Sequence, residues 1–357
     1  VIKLILQKAA YALLTVFGVI TVIFFLFNVL PGDPAQMMLG QNESEAQLQK
    51  QREKYGFDKP ISQQYLYYLN DLSILSWHSK DQEDFTYFDS EKYTGQELFS
   101  IGTGKLYLKY PYLRQSFQRQ DQKVSEIIGQ TLPNTAILAI SAIGIALLIG
   151  IFLGVISALQ KDTWLDKSIQ VLSTFGMSLP SFFSAILAAW LFGFVLQEYT
   201  NLNMTGNLYE LDDFGEEMNL KLKNLILPAL VLGIRPLAVV VQLMRSSLLE
   251  VFQQDYIRTA QAKGLSTYKI VTKHALKNAL NPVITAISGW FASMLAGAVF
   301  VEYIFGWNGL GKEIVDALNT LDLPIIMGSV LTIAIIFILI NIFVDIIYGI
   351  LDPRIRT

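Results

Sequence analysis

The sequence predicts an all-α membrane protein of six transmembrane helices, with both termini cytoplasmic and a large extracytoplasmic insert between the first and second helices. Three observations carry that expectation. The 357-residue chain is 52% hydrophobic and only 16% charged, it holds six long apolar stretches, and its Lys and Arg residues crowd into alternate loops.

The first stretch, Ala9 to Leu30, is uncharged and long enough at 1.5 Å per residue to cross a hydrocarbon core of about 30 Å. Lys3 and Lys8 precede it, as they would a signal peptide. The apolar run exceeds a signal core, however, and no small-x-small cleavage site follows, so it reads as a retained span. Beyond it the composition changes abruptly. Tyr, Gln, Asp and Lys replace Leu and Ile, and Tyr65, Tyr67, Tyr68, Trp77, Phe85, Tyr87 and Phe88 are too many aromatics for a disordered tract. A small folded cap is expected there.

Thr131 to Leu159, Ile169 to Leu196, Ala279 to Val301 and Pro324 to Leu351 read as four further spans. Leu225 to Leu249 contains Pro228, Arg235, Pro236 and Arg245 among Leu, Val, Ile and Ala, and a broken or kinked span is expected. The domain organisation that follows is a tail and first helix over 1–30, an insert over 31–125, and a five-helix core over 126–357 with a large loop at 245–278.

Orientation follows from the short loops and tails. The termini and the loops 160–168 and 245–278 carry Lys3, Lys8, Lys161, Lys167, Arg245, Arg258, Lys263, Lys269, Lys273, Lys277, Arg354 and Arg356. The opposite loops hold mostly acids, among them Glu302, Glu313, Asp316 and Asp322. The basic side is cytoplasmic.

Several chemistries are excluded. The chain has no cysteine and only two histidines, His78 and His274, which leaves no thiolate chemistry and no ordinary metal ligand set. A net charge of −3 offers no basic face for nucleic acid. No catalytic motif is present, so the chain reads as no enzyme. Gly306-Trp-Asn-Gly-Leu-Gly311-Lys312-Glu313 nearly spells a phosphate-binding loop, but Glu313 stands where a Ser or Thr must hold magnesium, and a span precedes it instead of a strand. A re-entrant turn or outer gate built on Gly306, Trp307, Gly309 and Gly311 is the better reading.

Charges inside spans are expensive and mark function. Arg235 and Asp345 are the two such charges. Arg235 lies beside Pro236 and either lines a wet pathway, pairs with a neighbouring subunit, or faces protein at a helix break. Asp345 lies near the cytoplasmic end, where a pairing with a C-terminal arginine is expected. A secondary transporter would carry more buried acids or matched half-helices, which directs attention to the cytoplasmic loop 245–278. There Lys269, Lys273 and Lys277 recur every four residues, suggesting an amphipathic surface helix. Ala260 and Gly264 leave a smooth patch for a partner. The same residues also fit the plain reading, in which the lysines satisfy the orientation rule and Gly264 ends a helix.

Asp255-Tyr-Ile-Arg-Thr-Ala-Gln-Ala-Lys-Gly264 resembles the ATPase-docking loop of the oligopeptide, dipeptide and nickel permease family of binding-protein-dependent ABC importers. In the general motif Glu-Ala-Ala is followed by a glycine six residues after the glutamate, which places Arg258 at the glutamate position and keeps Gly264; Lys277 stands where that motif has proline. Leu30-Pro-Gly-Asp-Pro-Ala35, Leu132-Pro-Asn-Thr135, Gly176-Met-Ser-Leu-Pro-Ser-Phe182, Leu227-Pro-Ala-Leu230, Arg245-Ser-Ser-Leu-Leu-Glu250, Phe305-Gly-Trp-Asn-Gly-Leu-Gly311 and Leu351-Asp-Pro-Arg-Ile-Arg356 agree in order and spacing, with Asn308 replacing a common proline. Residues 72–122 find no match and read as an insertion relative to compact members.

The resemblance implies a type I ABC permease core in a bacterial inner membrane, forming half of a pore for peptides or, second, nickel chelates. The implied partners are a second homologous permease, two cytoplasmic ATPase subunits that bind ATP and magnesium, an extracytoplasmic substrate-binding protein and the lipid bilayer, with no nucleic acid. No cofactor is expected in this chain. Glu250, Asp255, Tyr256, Arg258, Thr259, Ala260, Ala262, Lys263 and Gly264 would form the coupling loop, and Ser178, Pro180 and Arg235 would line the path. An ATPase-independent secondary transporter or channel subunit is the alternative.

Overall fold

The structure, a computed structural model, describes residues 2–29, 35–36, 44–212 and 214–351. In chain order the principal elements are α1 (Ile2–Val29), α2 (Glu45–Tyr55), α3 (Ile61–Leu72), β1 (Leu75–Ser79), β2 (Gly95–Ile101), β3 (Gly104–Lys109), α4 (Val124–Leu159), α5 (Trp164–Ser178) and α6 (Ser181–Trp190). They continue with β4 (Tyr209–Leu211), β5 (Met218–Leu220), α7 (Lys223–Val251), α8 (Asp255–Ala262), α9 (Leu276–Gly297), α10 (Val299–Phe305), α11 (Leu310–Thr320) and α12 (Leu323–Leu351). Helices dominate, but the all-α expectation needs correcting. β1, β3 and β2 form an antiparallel sheet in that order, and β4 pairs with β5. The hydrophobic count missed both because these strands are short and lie outside the spans.

Among the described residues, four helical stretches are long and apolar enough to cross a membrane, namely Gln7–Asn28, Val124–Leu159, Lys223–Val251 and Leu323–Val344. Two bent pairs raise the number to six if each counts as one crossing: α5 with α6 and its continuation to Val195, bent by 106°, and Thr267–Leu295 with α10, bent by 58°. The first break has a local cause. Leu179 adopts an extended backbone (φ −75°, ψ 138°) because the following Pro180 disfavours the helical conformation, and Pro180 then caps α6. By contrast, α7 runs as one helix through Pro228 and Pro236, where a break was expected. It is the most enclosed of the four straight spans, and neighbouring helices hold its geometry.

The chain divides into two compact units, 1–130 with 313–335 and 131–312 with 336–357. In the first, Ile23 and Phe24 of α1 pack with Tyr68 of α3 and with Met327 and Leu331 of α12. Tyr65 also shares a 2.6 Å hydrogen bond with Thr21. The sheet turns Ser76, His78 and Lys109 inward, and Phe88, Tyr93 and Tyr107 ring the imidazole of His78. Beneath them Asp71 accepts hydrogen bonds from Tyr93 (2.8 Å) and Arg114 (3.1 Å), while Lys109 Nζ donates to its backbone carbonyl. The aromatic density of the insert is therefore a folded core. Asp322 and Glu313, counted above as outer-loop acids, are buried. Asp322 accepts from Ser116 and from the amides of Phe117 and Gln118, and Glu313 from Arg119.

In the second unit α7 is the central element. It packs against α4 so closely that a Cβ on Gly154 would lie 2.6 Å from Met244, and one on Gly233 would lie 2.8 Å from the carbonyl of Ala142. Leu138, Ala142, Leu232, Met294, Phe305 and Trp307 belong to one buried cluster. Val240, Met244 and Leu248 of α7 belong to another, with Ile257, Ala260, Ala275 and Ala279. Leu30–Pro34, Arg354, Arg356 and the side chain of Asp345 lie outside the described residues.

Candidate functional site

Three places gather the residues singled out by sequence. The first is the segment between α7 and α9. Arg245 and Glu250 belong to the last turns of α7, and the projecting element is α8, with Asp255 in its first turn and Gln254 as its N-cap. Ile257 and Ala260 are buried against the ends of α4, α7 and α9. Burial at i and i+3 fixes which face α8 turns outward. Asp255, Tyr256, Arg258, Thr259, Ala262, Lys263 and Gly264 are exposed. The expectation of a small-residue patch at Ala260 and Gly264 is thus corrected: Ala260 is a core residue of its own chain.

Gly264 ends the helix in the left-handed conformation (φ +72°). Its amide donates to the Gln261 carbonyl and that of Leu265 to the Ala260 carbonyl, the Schellman pattern that glycine permits without strain. Nothing lies within 4 Å of where a Cβ would stand, so the space beside it is empty. Arg258 and Asp255 form an exposed pair at 3.3 Å, and Asn278 Nδ2 donates to the Tyr256 hydroxyl at 2.8 Å, holding α8 against α9.

Lys269, Lys273 and Lys277 are exposed, but they do not form a separate surface helix. Ile270–Ala275 is a π-helical turn that runs straight into α9. Its wider spacing lets Ile270, Val271 and Ala275 all bury while the lysines stay outside, which the four-residue periodicity misread.

The second place is the break between α5 and α6. Arg235 reaches across from α7 and its Nη2 donates to the Leu179 carbonyl at 3.4 Å. Gly176, Leu179, Ser181, Ser184, Arg235 and Trp290 line a cavity here. Ser178 and Pro180 flank Leu179, and the Ser178 hydroxyl bonds back to the Thr174 carbonyl.

The third is the turn between α10 and α11. Gly306 caps α10 at φ +65°. Trp307 is fully buried, and its Nε1 donates to the Asn134 carbonyl at 3.1 Å. Asn134 Nδ2 returns a bond to the Asn308 carbonyl (2.7 Å), and the Leu310 amide donates to Thr135 Oγ1 (2.8 Å). Glu302, wholly buried, accepts from the amides of Gly311 (2.7 Å) and Lys312 (3.2 Å) at the start of α11. A Cβ on Gly309 would stand 2.5 Å from that carboxylate. The glycine-rich run therefore makes an anion seat at a helix N-terminus, and the protein's own Glu302 fills it. This is why the sequence nearly imitates a phosphate loop. Glu302, Asn134 and Thr135 had no assigned role in the sequence reading; an acid placed before a glycine-rich turn that opens an amphipathic helix was the available signal.

The family profile of binding-protein-dependent transport system inner membrane components matches residues 150–357, and the profile of their N-terminal part matches residues 1–84. The chain belongs to this family. Similar permeases include the dipeptide transport system permease protein DppB of Alkalihalophilus pseudofirmus, 33% identical over 353 residues and covering 95% of each chain. The di/tripeptide transport system permease protein DppB of Pseudomonas aeruginosa is 33% identical over 357 residues, covering 96% of this chain and 95% of its own. A solved structure of the MetNI methionine ABC transporter in an inward-facing conformation matches with a TM-score of 0.49 and 16% identity, over 64% of this chain and 97% of that one. The resemblance to binding-protein-dependent ABC permeases drawn from the motifs thus holds over nearly the whole permease.

Proposed function

We propose that this permease forms half of the translocation pore of an ABC importer for peptides, and that α8 with Gly264 docks into a partner ATPase and couples its ATP hydrolysis to uptake. Six crossings result when each bent pair is one span, with both termini in the cytoplasm of a bacterial inner membrane and the insert outside. The partners are a second homologous permease, two ATPases that bind ATP and magnesium, and an extracytoplasmic substrate-binding protein. The permease relatives whose names specify a dipeptide or di/tripeptide system support peptides over nickel chelates as the solute. Arg235 and the Leu179–Pro180 break face the path, and the turn 306–311 closes its outer end.

The observation that carries the coupling role is the exposed face of α8 beside the empty space at Gly264. A helix anchored by Ile257, Ala260 and the hydrogen bond between Tyr256 and Asn278, with Arg258, Thr259, Ala262 and Lys263 exposed, suits docking. Coupling requires that the ATPases grip it differently in their two states, since equal contacts shift no population.

The test is Gly264→Trp against Gly264→Asn. Asn tolerates a left-handed backbone better than most side chains, so it isolates the docking requirement from the turn. The Trp variant is expected to insert at normal abundance, copurify with less ATPase and lose ATP-dependent uptake, while the Asn variant retains most of it. Uptake by the purified permease without any ATPase would instead establish a channel or secondary transporter.

A further inference from the structure

Asp166, at the start of α5, is buried and takes a two-pronged contact from Arg245 of α7, Nε to Oδ1 at 2.7 Å and Nη2 to Oδ2 at 2.6 Å. Ser157 of α4 donates to the same carboxylate, Gln170 Nε2 donates to Ser157 Oγ at 3.0 Å, and the Asp162 amide donates to Oδ2 at 2.9 Å. Such a fork has one geometry, and a buried charge left without its partner is strongly destabilising. The contact therefore does not slide.

Two further polar contacts join the same helices. Gln242 donates to Thr174 Oγ1 at 3.3 Å, and Arg235 to the Leu179 carbonyl at 3.4 Å. Positions 235, 242 and 245 recur at intervals of seven and three, so they lie on one stripe of α7. The seam runs from the break at Leu179 to the end of α7 where Met244 and Leu248 share a buried cluster with Ile257 and Ala260 of α8.

We infer that α5 and α7 move as one plate, and that Asp166 and Arg245 are the positioning pair that makes the movement of α8 arrive at the Leu179–Pro180 break. The inference rests on α8 being the ATPase-facing element. Without the fork, α8 would still engage the ATPase, but α5 would no longer follow α7, so hydrolysis would proceed without opening the break. A purely structural pair would instead lower both together.

The experiment uses the full chain reconstituted with its partner subunits in proteoliposomes. Asp166→Asn and Arg245→Gln are expected to hydrolyse ATP at close to the normal rate per assembled complex, while uptake per ATP falls about tenfold. Exchanging the charges in Asp166→Arg with Arg245→Asp is expected to restore part of the ratio. An unchanged ratio would overturn the inference.

A second measurement does not depend on folding of the charge variants. The chain has no cysteine, so Thr174→Cys with Gln242→Cys can be bridged by a short bifunctional thiol reagent and uptake compared per bridged molecule. A plate predicts uptake within about twofold of the unbridged protein. Inhibition released by cleaving the bridge would show that the helices slide and would overturn the inference. Failure of the coupling reading itself looks different, because Gly264→Trp would then keep full uptake whatever the bridge does.

Discussion

Glu302 shows how much one side chain can organise. It satisfies two of the amides that open α11; its carboxylate occupies the space a side chain at Gly309 would need, and at Gly311 the Val299 backbone and the carboxylate together do so. Glu302→Ala strands both amides in a closed site, at an expected cost of about 1–3 kcal/mol. A lowered thermal midpoint in detergent, with faster exchange of the Gly311 and Lys312 amides, is the measurement. In the insert, burial pushes the His78 imidazole below its ordinary range, and the nearby Lys109 ammonium adds to the push against the Thr86 carbonyl bond that raises it. An unfolded chain then binds a proton near pH 6.5 that the folded insert refuses, so stability falls as pH drops through and below that value. Burial likewise lowers Lys109 to about 8, with Asp71 opposing, and the sign is the same: stability rises with pH between about 8 and 10.5. Unfolding of the insert, followed through Trp77, should be easier at pH 5 than at pH 7, and His78→Gln should flatten that difference. An unchanged acid slope in the variant would remove His78 as the cause.

At the scale of elements, the contact of α4 with α7 depends on absent side chains. Gly233→Val would drive a methyl into the Ala142 carbonyl, and overpacking of this kind costs about 1–3 kcal/mol. The expected result is a lower melting temperature and reduced yield of folded permease, while substitution at the unobstructed Gly144 should be far milder. Much of this architecture was legible beforehand. Apolar runs long enough to span lipid marked the four helices that qualify as crossings by themselves among the described residues. Pro180 carried a signal of the break in the third, since the residue before a proline resists the helix, yet Ile169 to Leu196 read as one span and the break was expected in Leu225 to Leu249. What stayed hidden depended on packing. Ala260 read as a bare surface patch because composition does not say which side of a short helix is buried, and the lysines of 269–277 read as an independent helix because a π-helical turn changes the periodicity that the eye counts. Glu302 looked like one more outer charge, and only its proximity to the amides of α11 gives it a task.

For the whole molecule, alternation of the basic loops predicts a fixed topology. In the cysteine-free chain, Gln96→Cys on β2 and Lys161→Cys between α4 and α5 are both exposed positions. A membrane-impermeant thiol reagent applied to intact cells should label the first and spare the second until the membrane is opened. Labelling of both would mean that α4 does not cross, and the reverse pattern would invert the orientation. The 106° turn between α5 and α6 has a consequence for the lipid itself. Peptide groups at such a corner have lost their helical partners, and hydrocarbon offers none in return. If α5 and α6 make one crossing, acyl chains must be kept away from the corner, and the protein, a companion chain or water has to wall it off.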